Sequence, residues 1–256
     1  MEINYKNTSI HFSTRGTGNP LVLLHGFLES SEIWEDFQES VSEKRQVVCI
    51  DLPGHGRSGC IDQVHTMKDM ALTVKAVMEE LNIERAFLAG HSMGGYVNLE
   101  FQNIFPTLPT GLALINSTPK ADSEERRINR DRATELVLKN KRAFVNMAIS
   151  SLLTPENNKR FKPEVEELKN RALNFPKEGI SAALQGMKIR ADHSRSLEAV
   201  KTPKYIMAGE KDPILDYNEI KKISNACNTG FFSYPDGHLA FIENKKSLMK
   251  FLHFID

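Results

Sequence analysis

The segment Phe87-Leu88-Ala89-Gly90-His91-Ser92-Met93-Gly94-Gly95 sets the architecture of this chain. An apolar run short enough for a buried strand meets a G-x-S-x-G pattern, and a helix-like stretch at residues 93–105 follows at once. A strand that turns straight into a helix has no loop to absorb the change of direction. The corner residue is forced into a strained backbone conformation, and its neighbours must be very small for the turn to close. Gly90, Gly94 and Gly95 supply that room and leave Ser92 presented at the corner as a candidate nucleophile. With 15 glycines in 256 residues the pattern also arises by chance, so its weight depends on its surroundings.

Other apolar runs share the same form. Leu21-Val22-Leu23-Leu24 ends at His25-Gly26, Val47-Val48-Cys49-Ile50 ends at Asp51, and Leu112-Ala113-Leu114-Ile115 ends at Asn116. Runs of this length, bounded by Gly, Pro or Asp, suit strands buried on both faces. Residues 66–81 place Met70, Thr73, Val74, Val77 and Leu81 on one helical face. Strand and helix in alternation predict an α/β fold, with a mostly parallel sheet flanked by helices. Residues 3–13 read instead as a hairpin turning at Asn7-Thr8, which makes one edge antiparallel.

The alternation breaks after residue 117. Residues 120–142 are dense in Arg, Lys, Glu and Asp, and helical stretches continue to about residue 189 with no strand-like run. Pro155, Pro163 and Pro176 divide them. The expectation is a helical cap of four or so helices over residues 118–197, inserted between core segments 1–117 and 198–256. Its charges read as solvated outer faces. Alternation then resumes with Tyr205-Ile206-Met207-Ala208, a helix at residues 217–227, Phe231-Phe232-Ser233-Tyr234, and a last helix from about Ala240.

These later strands offer Ser92 its partners. A serine hydroxyl is a poor nucleophile until a base takes its proton, and the base needs a third group to fix its tautomer. Asp212 follows the strand at residues 205–208, and His238 follows the strand at residues 231–234. The order Ser, Asp, His is the one this architecture imposes, and all three lie at one edge of the sheet. Glu210, Asp216 and Asp236 stand near Asp212 as rival acids. Of the eight histidines, His25 and His91 suit shaping roles and His55 suits packing under the site. The oxyanion of an acyl-transfer intermediate needs backbone N–H donors. Met93, just after the nucleophile, and Phe27, in the loop after residues 21–24, are the candidates.

Composition narrows the partners. Lys plus Arg and Asp plus Glu each number 33, so nothing points to nucleic acid or an anionic membrane surface. Three scattered cysteines, Cys49, Cys60 and Cys227, form neither a disulfide framework nor a zinc spacing. No metal site is expected. The first residues lack the basic start and apolar stretch of a secretory signal, and no run approaches a membrane span. A cytoplasmic location is the expectation.

The chain resembles the α/β-hydrolase superfamily. The likeness runs from His25-Gly26-Phe27 through Asp51-Leu52-Pro53-Gly54-His55-Gly56-Arg57-Ser58 and the Ser92 corner to Gly209-Glu210-Lys211-Asp212 and Gly237-His238. The resemblance implies an eight-stranded, mostly parallel sheet, a helical cap over the site, and no cofactor. Serine at the corner argues against relatives similar to haloalkane dehalogenases and epoxide hydrolases, which place aspartate there. Prolyl aminopeptidases usually carry Trp after the serine, where this chain has Met93. A serine carboxylesterase acting on a small acyl ester is the first expectation, through an acyl-enzyme on Ser92. A lyase resembling the menaquinone-pathway synthase is the chief alternative. That family commonly has Arg directly after the corner glycines, whereas this chain has Tyr96. Carbon–carbon hydrolases, enol-lactonases and a non-turnover ligand receptor of the same fold stand further off. Phe27, Tyr96, Phe144, Met147 and Met187 are the expected substrate contacts, with Leu152 beside them.

Overall fold

Doubly buried apolar runs become strands because each strand then removes both its faces from water. The computed structural model describes residues 1–255, and the last residue of the expected core, Asp256, lies outside them. Eight strands are present among the described residues: β1 Glu2–Tyr5, β2 Thr8–Arg15, β3 Pro20–Leu24, β4 Gln46–Ile50, β5 Ala86–His91, β6 Pro109–Ile115, β7 Lys204–Gly209 and β8 Gly230–Tyr234. They form one sheet in the order β1-β2-β4-β3-β5-β6-β7-β8. β2 pairs antiparallel with β1 and with β4, and every other pairing is parallel. Every residue of β5 is buried, which explains its unbroken small and apolar character.

The hairpin turns one residue earlier than expected. Tyr5 pairs with Thr8, so the turn residues are Lys6 and Asn7, at φ 50° and 61°. A two-residue turn with both centres left-handed matches the twist of the strands it joins, and Thr8 is thereby freed to begin β2.

The helices follow in chain order: α1 Glu35–Val41, α2 Met67–Glu80, α3 Met93–Ile104, α4 Glu124–Ser150, α5 Pro155–Arg160, α6 Lys162–Ala172, α7 Lys177–Lys188, α8 Ser194–Ala199, α9 Tyr217–Ala226, α10 Ala240–Glu243 and α11 Lys245–Phe254. Thr66 caps α2 by accepting the Asp69 N–H at 3.0 Å, which sets where the apolar stripe begins. The expected last helix is split, because Asn244 leaves helical geometry and its side chain caps α11. Leu114, Ile206 and Ala208 pack with Leu99 of α3, Leu197 of α8 and Ile220 of α9 on one face of the sheet. Tyr205 points the other way and meets Phe251 of α11, with ring centres 6.3 Å apart. Each fully buried Leu or Ile in these layers contributes about 1.5–3 kcal/mol.

Five helices, α4 to α8, lie between β6 and β7. The expected boundary at residue 197 falls inside α8, which packs beside the sheet. α4 is two helices in one, because Asn140 breaks it at φ −154°, ψ 79°. Among the described residues no helix is long and apolar enough to cross a membrane.

Candidate active site

Ser92 sits at the corner between β5 and α3 with φ 48° and ψ −110°. A side chain in such a conformation costs about 1–3 kcal/mol, so the surroundings must hold it there. The Ser92 N–H donates to Ile115 O at 2.9 Å, and its carbonyl accepts from Gly95 N–H at 3.0 Å and from Ser117 Oγ at 2.8 Å. A Cβ at Gly94 would lie 2.5 Å from Leu24 O, and one at Gly90 would lie 2.6 Å from Gly95 N. Neither position has space for a side chain, which is the steric demand that the corner imposes.

The structure brings Ser92, His238 and Asp212 together from three strand ends. His238 Nε2 is 3.0 Å from Ser92 Oγ, and His238 Nδ1 is 2.7 Å from Asp212 Oδ2. Burial pushes the Asp212 carboxyl up, but the charge of His238 and hydrogen bonds from His238, Asn116 and the Ile214 N–H outweigh it. The carboxyl is held below the usual carboxylate range. The rival acids are engaged elsewhere. Asp216 caps α9 through the Glu219 N–H at 2.7 Å, Asp236 accepts from Asn244 Nδ2 at 2.8 Å, and Glu210 accepts from Ser233 Oγ at 3.3 Å.

Two residues with no prior claim complete this end. Asn116, just past β6, donates from Nδ2 to Asp212 Oδ2 at 3.0 Å and to Gly237 O at 3.2 Å. Its Oδ1 lies 2.7 Å from the buried Tyr234 hydroxyl, which is also 2.7 Å from Gly237 O. The Asp212 loop and the His238 loop are thus tied to each other.

A second network lies on the other side. Glu29 Oε2 accepts the Gly26 N–H at 2.6 Å and lies 2.9 Å from His91 Nδ1. His91 Nε2 lies 2.9 Å from the carbonyl oxygen of His238. Both ring nitrogens of His91 therefore face acceptors, which calls for the doubly protonated ring. Burial opposes that charge, but Glu29 and the His238 carbonyl outweigh it and raise the His91 pKa. The pair links the Phe27 loop, the corner and the His238 backbone. A raised folded-state pKa means this contribution to stability is fully present below the ordinary value of 6.5. It is lost as pH rises through the folded value. The gap in melting temperature between the wild type and His91→Gln is expected to narrow as pH is raised from about 6 to about 9. A constant gap across that range would show that the ring carries no extra proton.

His25 and His55 shape the same loop. His25 Nε2 accepts the Leu52 N–H at 2.9 Å, so its Nδ1 donates to Gly26 O at 2.7 Å. His55 packs against Phe27 at 5.8 Å between ring centres, and burial pushes its pKa down to about 3. Met93 is wholly buried and opens α3, where first-turn N–H groups have no intrahelical acceptor.

A cavity of about 390 Å³ opens over Ser92 and His238. Phe27, Tyr96, Phe144, Met147 and Met187 all line it, as does Leu152, and Met147 is 56% exposed, at its rim. The charged stretch of α4 departs from its reading as solvated surface, since Arg126, Asn129 and Arg130 also line the cavity. Their spacing was the available signal: with Ala133 they occupy positions i, i+3, i+4 and i+7 of one helical face.

A thermophilic esterase from Thermogutta terrifontis, solved with malate bound, superposes with a TM-score of 0.91 at 29% identity, covering 97% of this chain and 93% of that one. The enol-lactonase from Burkholderia xenovorans LB400 gives 0.91 at 18% identity, covering 99% and 98%, a likeness of fold. The dihydrolipoyllysine-residue acetyltransferase component of the acetoin cleaving system from Pseudomonas putida is 40% identical over 100 residues, which are 39% of this chain and 27% of that protein. The chain thus spans about a quarter of that relative's length. The family described as alpha/beta hydrolase fold matches residues 19–245. With that match over most of its length, the chain belongs to the α/β-hydrolase fold family.

Proposed function

We propose that this protein is a serine carboxylesterase that cleaves a small acyl ester through an acyl-enzyme on Ser92. The observation that carries the reading is the placement of His238 between Asp212 at 2.7 Å and Ser92 at 3.0 Å, beneath a cavity whose walls are mostly apolar. Ser92 Oγ attacks the ester carbonyl while His238 Nε2 takes its proton. The oxyanion is stabilised by the backbone N–H groups of Phe27 and Met93. His238 then gives its proton to the departing alcohol, and the acyl group stays on Ser92. Water, deprotonated by His238, attacks the acyl carbon and releases the carboxylic acid and free Ser92. Asp212 keeps His238 in the tautomer with the proton on Nδ1 and stabilises the imidazolium that forms twice per cycle. The residues use no cofactor in this scheme.

Support for the ester over the lyase comes from Tyr96, which stands where that lyase family commonly carries Arg; its ring lies 4.1 Å beneath the Arg190 guanidinium. The test is a panel of p-nitrophenyl acetate and butyrate, lactones and carbon–carbon substrates, combined with labelling by a fluorophosphonate. Multiple turnover of the esters and one phosphonyl group per chain, lost in Ser92→Ala, are expected. A single slow turnover with a large ligand-induced rise in melting temperature would instead make the protein a receptor.

A further inference from the structure

We infer that the cavity selects esters carrying a free carboxylate, the half-esters of small dicarboxylic acids, and that Arg126 and Arg130 of α4 bind that carboxylate. The inference rests on the ester reading and adds the substrate class to it.

The charges around the cavity do not cancel. Glu29 is matched by His91, and Asp212 by His238. At the α4 end three guanidinium groups, those of Arg126, Arg130 and Arg190, outnumber one carboxylate, and only two of them reach it. Asp122, fully buried, lies 3.1 Å from Arg130 Nε and 2.6 Å from Arg190 Nη1. Arg190 does not line the cavity: it donates to Lys120 O at 3.1 Å and to Met187 O at 3.0 Å, and stacks on Tyr96. Arg126 has no carboxylate within 4 Å among the described residues, and donates one hydrogen bond, to Ile214 O. Arg126 and Arg130 are both partly buried and both line the cavity, with Asn129 between them.

A partly desolvated excess of positive charge is unfavourable until an anion meets it. A guanidinium offers five donors in a planar fork whose geometry matches a carboxylate, and such charge-assisted bonds are about twice as strong as neutral ones. The remaining wall, with Phe27, Phe144, Leu152 and Leu184, is apolar and suits a short methylene chain. A small molecule with an ester at Ser92, a few methylenes and a terminal carboxylate satisfies all three surfaces of a cavity of about 390 Å³.

The experiment compares monoethyl with diethyl esters of succinic, glutaric and adipic acids, followed by proton release. For the wild type, kcat/KM is expected to favour the half-ester about tenfold or more at one chain length at least, with the preference shrinking as salt is added. The half-ester to diester ratio should fall about tenfold in Arg126→Gln and in Arg130→Gln, and stay in Arg127→Gln, whose exposed side chain is absent from the cavity. Because the readout is a ratio, general loss of activity in a variant cancels. Diesters preferred at every length, or a ratio untouched in both cavity variants, would overturn the assignment. Hydrolysis of neither ester would count against the ester reading alone, and binding then decides the anion site. Glutarate should raise the melting temperature of the wild type more than butyrate does, and lose that advantage in Arg126→Gln; equal shifts from the two acids would sink it.

Discussion

Ser92→Ala is expected to lower kcat on p-nitrophenyl butyrate by about four orders of magnitude or more while leaving the melting temperature near that of the wild type. The loss is large because the acyl group then has no oxygen to which it can be transferred, and His238 has no proton to collect. Some acceleration over water should persist, since the substitution leaves the proposed oxyanion donors, the Phe27 and Met93 N–H groups, in place. The fold should survive because an alanine Cβ occupies the same place as the serine Cβ, and the corner is held by backbone bonds to Ile115 and Gly95. Initial rates measured beside a thermal melt check both halves. Undiminished hydrolysis by a folded variant would remove Ser92 from the chemistry.

Asp212→Asn is expected to cost about 10⁴-fold in kcat near neutral pH with little change in KM. In the wild type, Asp212 Oδ2 accepts both from His238 Nδ1 and from Asn116 Nδ2. The other oxygen, Oδ1, accepts the Ile214 and Leu215 N–H groups at 2.8 and 3.1 Å, so an amide NH₂ meets donors whichever way it points. Turned toward His238 and Asn116, it drives the ring to the tautomer with its proton on Nε2, which cannot accept the Ser92 proton. Turned toward Ile214 and Leu215, it opposes two backbone N–H groups in a buried site. Steady-state kinetics on one ester separate the outcomes. A loss below about tenfold would mean that another carboxylate serves His238.

Much of this was legible in the chain itself, for a physical reason. Central strands of a parallel sheet are buried on both faces, so β3, β4, β5, β6 and β7 each announce themselves by an apolar run, while β8, at the sheet edge, shows only a short aromatic one. The turn at Lys6 was not announced, because lysine carries no preference for positive φ, whereas Asn7 does. Ser92, Asp212 and His238 were readable because each follows a strand, and strand ends of one sheet edge meet. Asn116 also follows a strand, yet its bond to Asp212 joins residues 96 apart, and no local pattern encodes such a pairing. Glu29 carries no local signal either, because its contact with His91 joins residues 62 apart. The arginines of α4 were misread for a related reason. A charged helix face is legible as a face, but whether water or a cavity lies opposite depends on where the helix is folded back.

β6 and β7 are hydrogen-bonded neighbours, with Leu112 opposite Lys204, although five helices separate them in the chain. The polypeptide therefore leaves and re-enters the sheet through one narrow doorway. Whatever is threaded between those two strands can lengthen, shorten or be exchanged during evolution without cutting a single ladder of the sheet. The serine, its base and its acid would be inherited intact while the specificity above them is rewritten. A lineage could change what it consumes by revising one continuous stretch of gene.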